Sequence, residues 1–352
     1  MKKRLAILMS LVLSLSLLCG CVGTPVVYNC TEDHSTTQGT QPTEATPSVE
    51  GALKTGLAIT ANAADSENAV NAAYDVTMVA VLVDDNGIIQ DCIIDGISAK
   101  IEFDATGTIT TDLTAPISTK NELGENYGMV AWGGAKYEWN EQAAALAQYA
   151  VGKTVEELRE GAVNEQGRAP EGSDLASTAT IYLGGYVSAI EEAVANAKHL
   201  GAQGGDTLKL ASINSAKSSV SATADAEGTA QLDCDVTALT EKDGVITSCY
   251  IDSLQAKVSF DQSGTITTDL TAPMLTKNQL GPDYGMVAWA GATAEWNEQA
   301  ASFAAYVTGK TAQEVSGIAV NEKTAPTDAD LAASVTIAIG GFQALILKAL
   351  EA

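Results

Sequence analysis

Residues 107–116, GTITTDLTAP, recur without a change as residues 264–273, at an offset of 157 residues. At the same offset YGMVAW (127–132) returns as 284–289, and EWNEQAA (138–144) as 295–301. A period this long is a whole folding unit rather than a solenoid repeat. Working outward, it places one copy over residues 51–200 and a second over 204–352, joined by GAQGG at 201–205. Each copy is long enough to bury a core of its own.

Within a copy, periodicity changes along the chain. Val76, Met78, Ala80 and Leu82 alternate with Thr77 and its neighbours up to Asp84-Asp85-Asn86-Gly87, a hairpin turn signal, and Ile88–Ile94 returns. The second copy turns at Asp243-Gly244 and returns over Val245–Ile251. A further strand (Ala99–Phe103, Ala256–Phe260), a turn at 104–107 and a Thr-rich strand (Thr108–Leu113) are expected next. Trp139, Ala143, Leu146 and Ala150 then share one helical face, with Glu138, Glu141 and Gln142 off it. Gly152 ends that helix, and Thr154/Glu157 and Thr311/Glu314 fit capping boxes that open the next. A last amphipathic helix turns Tyr186, Ile190, Val194 and Ala197 inward and Glu191, Glu192 and Lys198 outward. The fold class read from this order is α+β: two tandem similar domains, each an antiparallel β-sheet followed by packed helices.

Lys2, Lys3 and Arg4 precede the apolar run Leu5–Leu18, which is short for a membrane span and suits an export signal over residues 1–20. Leu18-Cys19-Gly20-Cys21 resembles the bacterial lipobox, which implies lipidation at Cys21 and a lipid-anchored protein of the cell envelope, on the outer face of the cytoplasmic membrane or in the periplasm. Residues 21–50 read as a tether: TEDHSTTQGTQPTEATPSVE at 31–50 is too polar to offset the entropy of ordering, and His34 within it reads as solvated.

The net charge of −25, which becomes −28 once Lys2, Lys3 and Arg4 are removed, excludes nucleic acid as a partner, because phosphate contacts need a basic face. Only His34 and His199 are present, and no CxxC pair occurs, so imidazole triads and Cys/His metal sites have no support. No catalytic residue stands out, which favours a binding protein over a catalyst. All four tryptophans are matched between copies, Trp132 with Trp289 and Trp139 with Trp296, either as stacking surfaces for a planar ligand or as core anchors. Lys120 and Lys277, each in Thr-Lys-Asn, are candidate anion ligands or solvated lysines paired with carboxylates. Cys92 and Cys249 are equivalent on the return strand, while Cys234 is set against Thr77, leaving a Cys234–Cys249 disulfide open in copy two.

Before the last helix stand Asp174-Leu-Ala-Ser177-Thr178-Ala179-Thr180 and Asp330-Leu-Ala-Ala333-Ser334-Val335-Thr336. With the preceding order of elements, this resembles the FMN-binding domain family, in which a D-x-x-S-G-A-T signature carries FMN through a phosphoester on its final Thr. The resemblance implies FMN as cofactor, Thr180 and Thr336 as attachment positions, Asp174, Asp330 and Ser177 as their signature partners, and a redox partner. Thr178 stands at the family's Gly, and Ser177 and Ala179 are replaced by Ala333 and Val335 in copy two. A second reading is therefore a noncatalytic cell-surface or solute-binding lipoprotein that keeps the fold without flavin. In that reading the Ser/Thr cluster only caps the last helix.

Overall fold

The computed structural model describes residues 51–351, and the export signal, the tether, His34 and Cys21 lie outside them. Copy one builds β1 (Lys54–Asn62), β2 (Asn71–Val83) and β3 (Ile89–Glu102), then α1 (Lys120–Leu123), α2 (Trp139–Ala150), α3 (Val155–Ala162), α4 (Asp174–Thr178) and α5 (Gly184–Ala195). Copy two builds β4 (Thr207–Ser215), β5 (Gly228–Lys242) and β6 (Val245–Phe260). Its helices are α6 (Lys277–Leu280), α7 (Met286–Ala290), α8 (Trp296–Val307), α9 (Ala312–Ser316), α10 (Ala329–Ser334) and α11 (Gly340–Glu351). The strands make two antiparallel three-stranded meanders, β1-β2-β3 and β4-β5-β6, each followed by its helices.

The two sheets face each other. Their inner sides share one core in which Leu57, Met78 and Ile97 of copy one meet Leu232, Val236 and Val258 of copy two. Phe103 stacks on its equivalent Phe260 with ring centroids 4.0 Å apart and planes 3° from parallel. The outer side of each sheet carries that copy's helices over a separate core. The result is four layers, helix, sheet, sheet, helix. It explains why strands of this chain are apolar on both faces, since both faces are covered.

The identical GTITTDLTAP segments sit at the junction. Gly107 accepts a hydrogen bond from the Ala222 amide (2.8 Å) and Gly264 accepts one from the Ala69 amide (2.7 Å). A β-carbon on either glycine would run into the Asp261 or Asp104 carbonyl of the other copy. GAQGG is likewise pinned: Ala202 is buried, and its carbonyl accepts from Leu53 N at 2.9 Å.

Several sequence expectations are corrected. The return strand and the further strand are one continuous strand in each copy. The Thr-rich segment is not a strand, because Asp104 captures the amides of Thr106 and Thr108 and Asp112 captures that of Thr114, leaving only an Ile109–Phe103 bridge. On α5 the buried face is Val187, Ala189, Ile190 and Ala193, while Tyr186 and Val194 are half-buried and Lys198 lies past the helix. Glu138 and Gln142 are buried rather than off the packed face.

Cys234 lies opposite Leu254 on the inner face, and Cys249 lies opposite Leu239 on the outer face. Pairing register sets Cys234 against Val76 of copy one, not Thr77, because Ile97 and Leu254 are equivalent and face those two residues. Cys92, Cys234 and Cys249 are free and buried, so the open disulfide does not form. Burial pushes all three thiols up, Cys249 to about 12.

Candidate functional site

The expected signature turn is organised by an amide of α2 or α8. Asp174 opens α4, whose cap is Ser173 rather than a residue of the Ser/Thr cluster, and the exposed Ser177 hydroxyl donates to the Asp174 carbonyl at 2.7 Å. Thr180 follows, and buried Gln142 Oε1 accepts from Thr180 N (2.8 Å), Thr180 Oγ1 (3.2 Å) and Ile181 N (3.1 Å). Gln299 does the same for Thr336 N (2.8 Å), Thr336 Oγ1 (3.1 Å) and Ile337 N (3.2 Å). Each amide is oriented through its nitrogen, which donates to the Tyr137 or Ala294 carbonyl at 2.9 Å. Asp330 is exposed, just inside the α10 cap provided by Asp328. The cluster does not cap α5, whose N-cap is Leu183 with no side-chain hydrogen bond.

Lys120 and Lys277 point elsewhere. The Lys120 amine sits 5.1 Å from the Trp139 ring centroid and 5.4 Å from that of Tyr127, with Asp75 at 3.6 Å. Lys277 lies 4.8 Å from the Trp296 ring and 5.2 Å from that of Tyr284. These are cation–π seats rather than anion clamps, and neither lysine lines a cavity with Thr180 or Thr336 among those described. Arg168 donates to the Thr180 carbonyl. At the same offset copy two has Ala325.

A better-formed concavity lies between the copies. A cleft of about 610 Å³ is floored by Cys249–Asp252 of β6 and walled on one side by Ala301, Ala304 and Ala305 of α8 and by its C-cap Thr308. Those four positions share one helical face, and their small side chains leave the room. Copy one supplies the opposite wall from Ala58 and Ile59 of β1, Glu192 and Asn196 at the end of α5, and residues 198–200. The Lys198 amine lies 5.0 Å from the Tyr250 ring, and Gln279 Nε2 donates to Glu192 Oε1 at 2.7 Å. Asn297 lines the cleft with its Oδ1 buried and without a hydrogen-bond partner.

Burial pushes the Asp252 carboxyl up to about 6, against hydrogen bonds from the Thr276 hydroxyl and the Asn278 and Ser253 amides and the nearby charge of Lys277. Burial also raises Glu192. A site of this size with few polar groups and perturbed acids is the usual form of a small-molecule pocket. None of the candidate binding residues read from sequence lines it, although Cys249, Glu192, Lys198 and His199 do. The repeated EWNEQAA contained two of the residues that matter, Asn297 and Gln299, but nothing in one sequence tells a buried amide from an exposed one. No cluster of His, Cys, Asp and Glu suited to a metal occurs among the described residues, and no helix there is long and apolar enough to cross a membrane. No family model, curated protein or solved structure matches the chain.

Proposed function

We propose that the protein is a noncatalytic solute-binding lipoprotein of the cell envelope, built from two similar tandem domains at 51–200 and 204–352 and anchored through Cys21. The observation that carries the binding reading is the cleft of about 610 Å³ between the copies, with an orphan acceptor at Asn297 and raised acids at Asp252 and Glu192. Its ligand is a small molecule with an apolar body for Ala301, Ala304 and Tyr250 and a hydrogen-bond donor for Asn297. The acidic lining favours a neutral or cationic ligand over an anion.

Native mass spectrometry of the whole protein purified from its own cells tests this. Wild type is expected to carry a small-molecule adduct that Ala301→Trp, which fills the cleft, does not. Equal adducts in both proteins, or none in either, would refute the reading. The anchor is tested separately: Cys21→Ser should move the protein into the soluble fraction.

A second reading is favoured by one observation only. The Arg168 guanidinium beside Thr180 suits a phosphate esterified there, and so supports an FMN-bearing, electron-transferring copy one. Copy two has Ala325 at the position of Arg168 and supports that group less well. Intact mass after coexpression with a flavin transferase separates the cases. A mass increment lost in Thr180→Ala and kept in Thr336→Ala supports flavin on copy one.

A further inference from the structure

The two tryptophans that end YGMVAW are not core residues. Trp132 is 82% exposed and Trp289 88% exposed, beside half-exposed Val130 and Val287, in a chain with only four tryptophans. The segments that carry them, α7 in copy two, are nevertheless built firmly. Buried Glu138 accepts from the Met129 and Val130 amides (2.8 and 3.0 Å), and buried Glu295 accepts from those of Met286 and Val287 (2.8 and 3.1 Å). The ring packs directly on a glycine: a β-carbon at Gly128 or Gly285 would collide with Trp132 or Trp289. Both glycines also have left-handed φ, 80° and 83°. One side of each indole is thus supported by backbone and the rest faces water.

Around Trp132 the surface forms an open cavity of about 660 Å³ whose lining includes Glu125, Asn126, Asn140 and Glu141 and carries no lysine or arginine. Glu138 is occupied by backbone amides, and one oxygen of Glu141 caps Glu138 N at 2.8 Å, which leaves Glu125, Asn126 and the second Glu141 oxygen as acceptors. Asn140 Oδ1 is buried without a partner. In copy two the corresponding positions are Pro282, Asp283, Asn297 and Glu298, so a carboxylate is lost at the first and gained at the second.

We propose that Trp132 and Trp289 are stacking platforms for a neutral pyranose oligosaccharide, with the stronger site at Trp132. A pyranose offers a flat C–H face to an indole and a rim of hydroxyl donors to carboxylates and amides, and that is the combination present. The acidic lining opposes polyanions and the phosphates of a bilayer. The Trp132 site shares no residue with the cleft between the copies, whereas Asn297 and Glu298 beside Trp289 also line that cleft.

Isothermal titration calorimetry of the whole protein with cellohexaose, chitohexaose, xylohexaose and mannohexaose tests the proposal. At least one sugar is expected to bind. Trp132→Ala should weaken it tenfold or more, Trp132→Phe should restore part of the loss, Trp289→Ala should weaken it less, and the double variant should not bind. Because both rings are exposed, the unfolding midpoint of each variant should match wild type. Binding of none of the four sugars, or binding unchanged in the double variant, would overturn the proposal. So would wild-type capture by phosphatidylcholine vesicles that the double variant loses, in the absence of sugar binding, which would assign the rings to a bilayer.

Discussion

The groove beside α8 and its counterpart beside α2 are lined by equivalent residues but hold different volumes. Asp91 to Ile94, Asn121, Asn140, Ala144 and Ala147 of copy one match Ser248 to Ile251, Asn278, Asn297, Ala301 and Ala304 of copy two at the repeat offset. Yet one cavity is about 280 Å³ and the other about 610 Å³. One substitution bears on the difference: Gln148 stands where the α8 face has Ala305, while Val151 and Thr308 are nearly equal in size. The flanking pair also differs. Lys348 forms an ion pair with Glu122, whereas the equivalent positions hold the neutral–anionic pair Gln279–Glu192. Repetition supplied the floor and helix wall of a groove twice, and only the groove beside α8 gains a second wall, from β1 and the end of α5 of the other copy.

The comparison assumes that both grooves rest on one foundation, and the Phe103–Phe260 stack is the place to break it. Phe103→Ala and Phe260→Ala should each cost about 3–5 kcal/mol. Because the core is shared, hydrogen exchange should accelerate in β2 and β5 together in either variant. Acceleration confined to the mutated copy would mean that the copies are energetically independent.

The buried acids sharpen the contrast. Asp252 binds its proton more tightly folded than unfolded, so its stabilising contribution is complete below about pH 4 and is lost as pH rises through about 6. A shift of roughly two units corresponds to up to about 3 kcal/mol. Denaturant melts between pH 4 and 7 should show this slope in wild type and a flatter one in Asp252→Asn. Burial raises Asp95 in the same direction, so Asp95→Asn should flatten the slope too, and a slope untouched by either variant would contradict the assignment.

Gln142→Leu and Gln299→Leu each leave three donors without their acceptor, and should cost about 2 kcal/mol apiece by chemical denaturation. Losses differing by more than about 1 kcal/mol would show that Arg168 supports the copy-one turn on its own.

Much of the fold was legible in the sequence. The hairpins, the apolar positions of the α2 face and both capping boxes stand as read, because each rests on local patterns that carry their own physical cause, whereas Glu138 and Gln142 join the buried side of α2. What was misread depends on tertiary context. β1 and β4 lack a sharp alternation, since KTGLAITAN is covered on both faces, and the Thr-rich segment has strand composition but gives its amides to aspartates. The site was less legible than the fold. Gln142 looks like a surface residue until Thr180 is placed against it, and the cleft is made of alanines whose meaning appears only when β1 and α5 of the other copy face them.

The central claim is that the open groove beside α8, and not the filled one beside α2, takes a small molecule. Ala305→Gln with Thr308→Val makes copy two resemble copy one at the two positions that differ on the helix face. Both sites are at the groove surface, so stability should change by less than about 1 kcal/mol. Ligand-observed NMR with a fragment library on wild type and this double variant is the most direct measurement. The account expects fragments that bind wild type, compete with one another for a single site, and lose binding in the variant. Fragments that bind both proteins equally, or whose binding is abolished only by filling the α2 groove with Ala144→Trp, would contradict it.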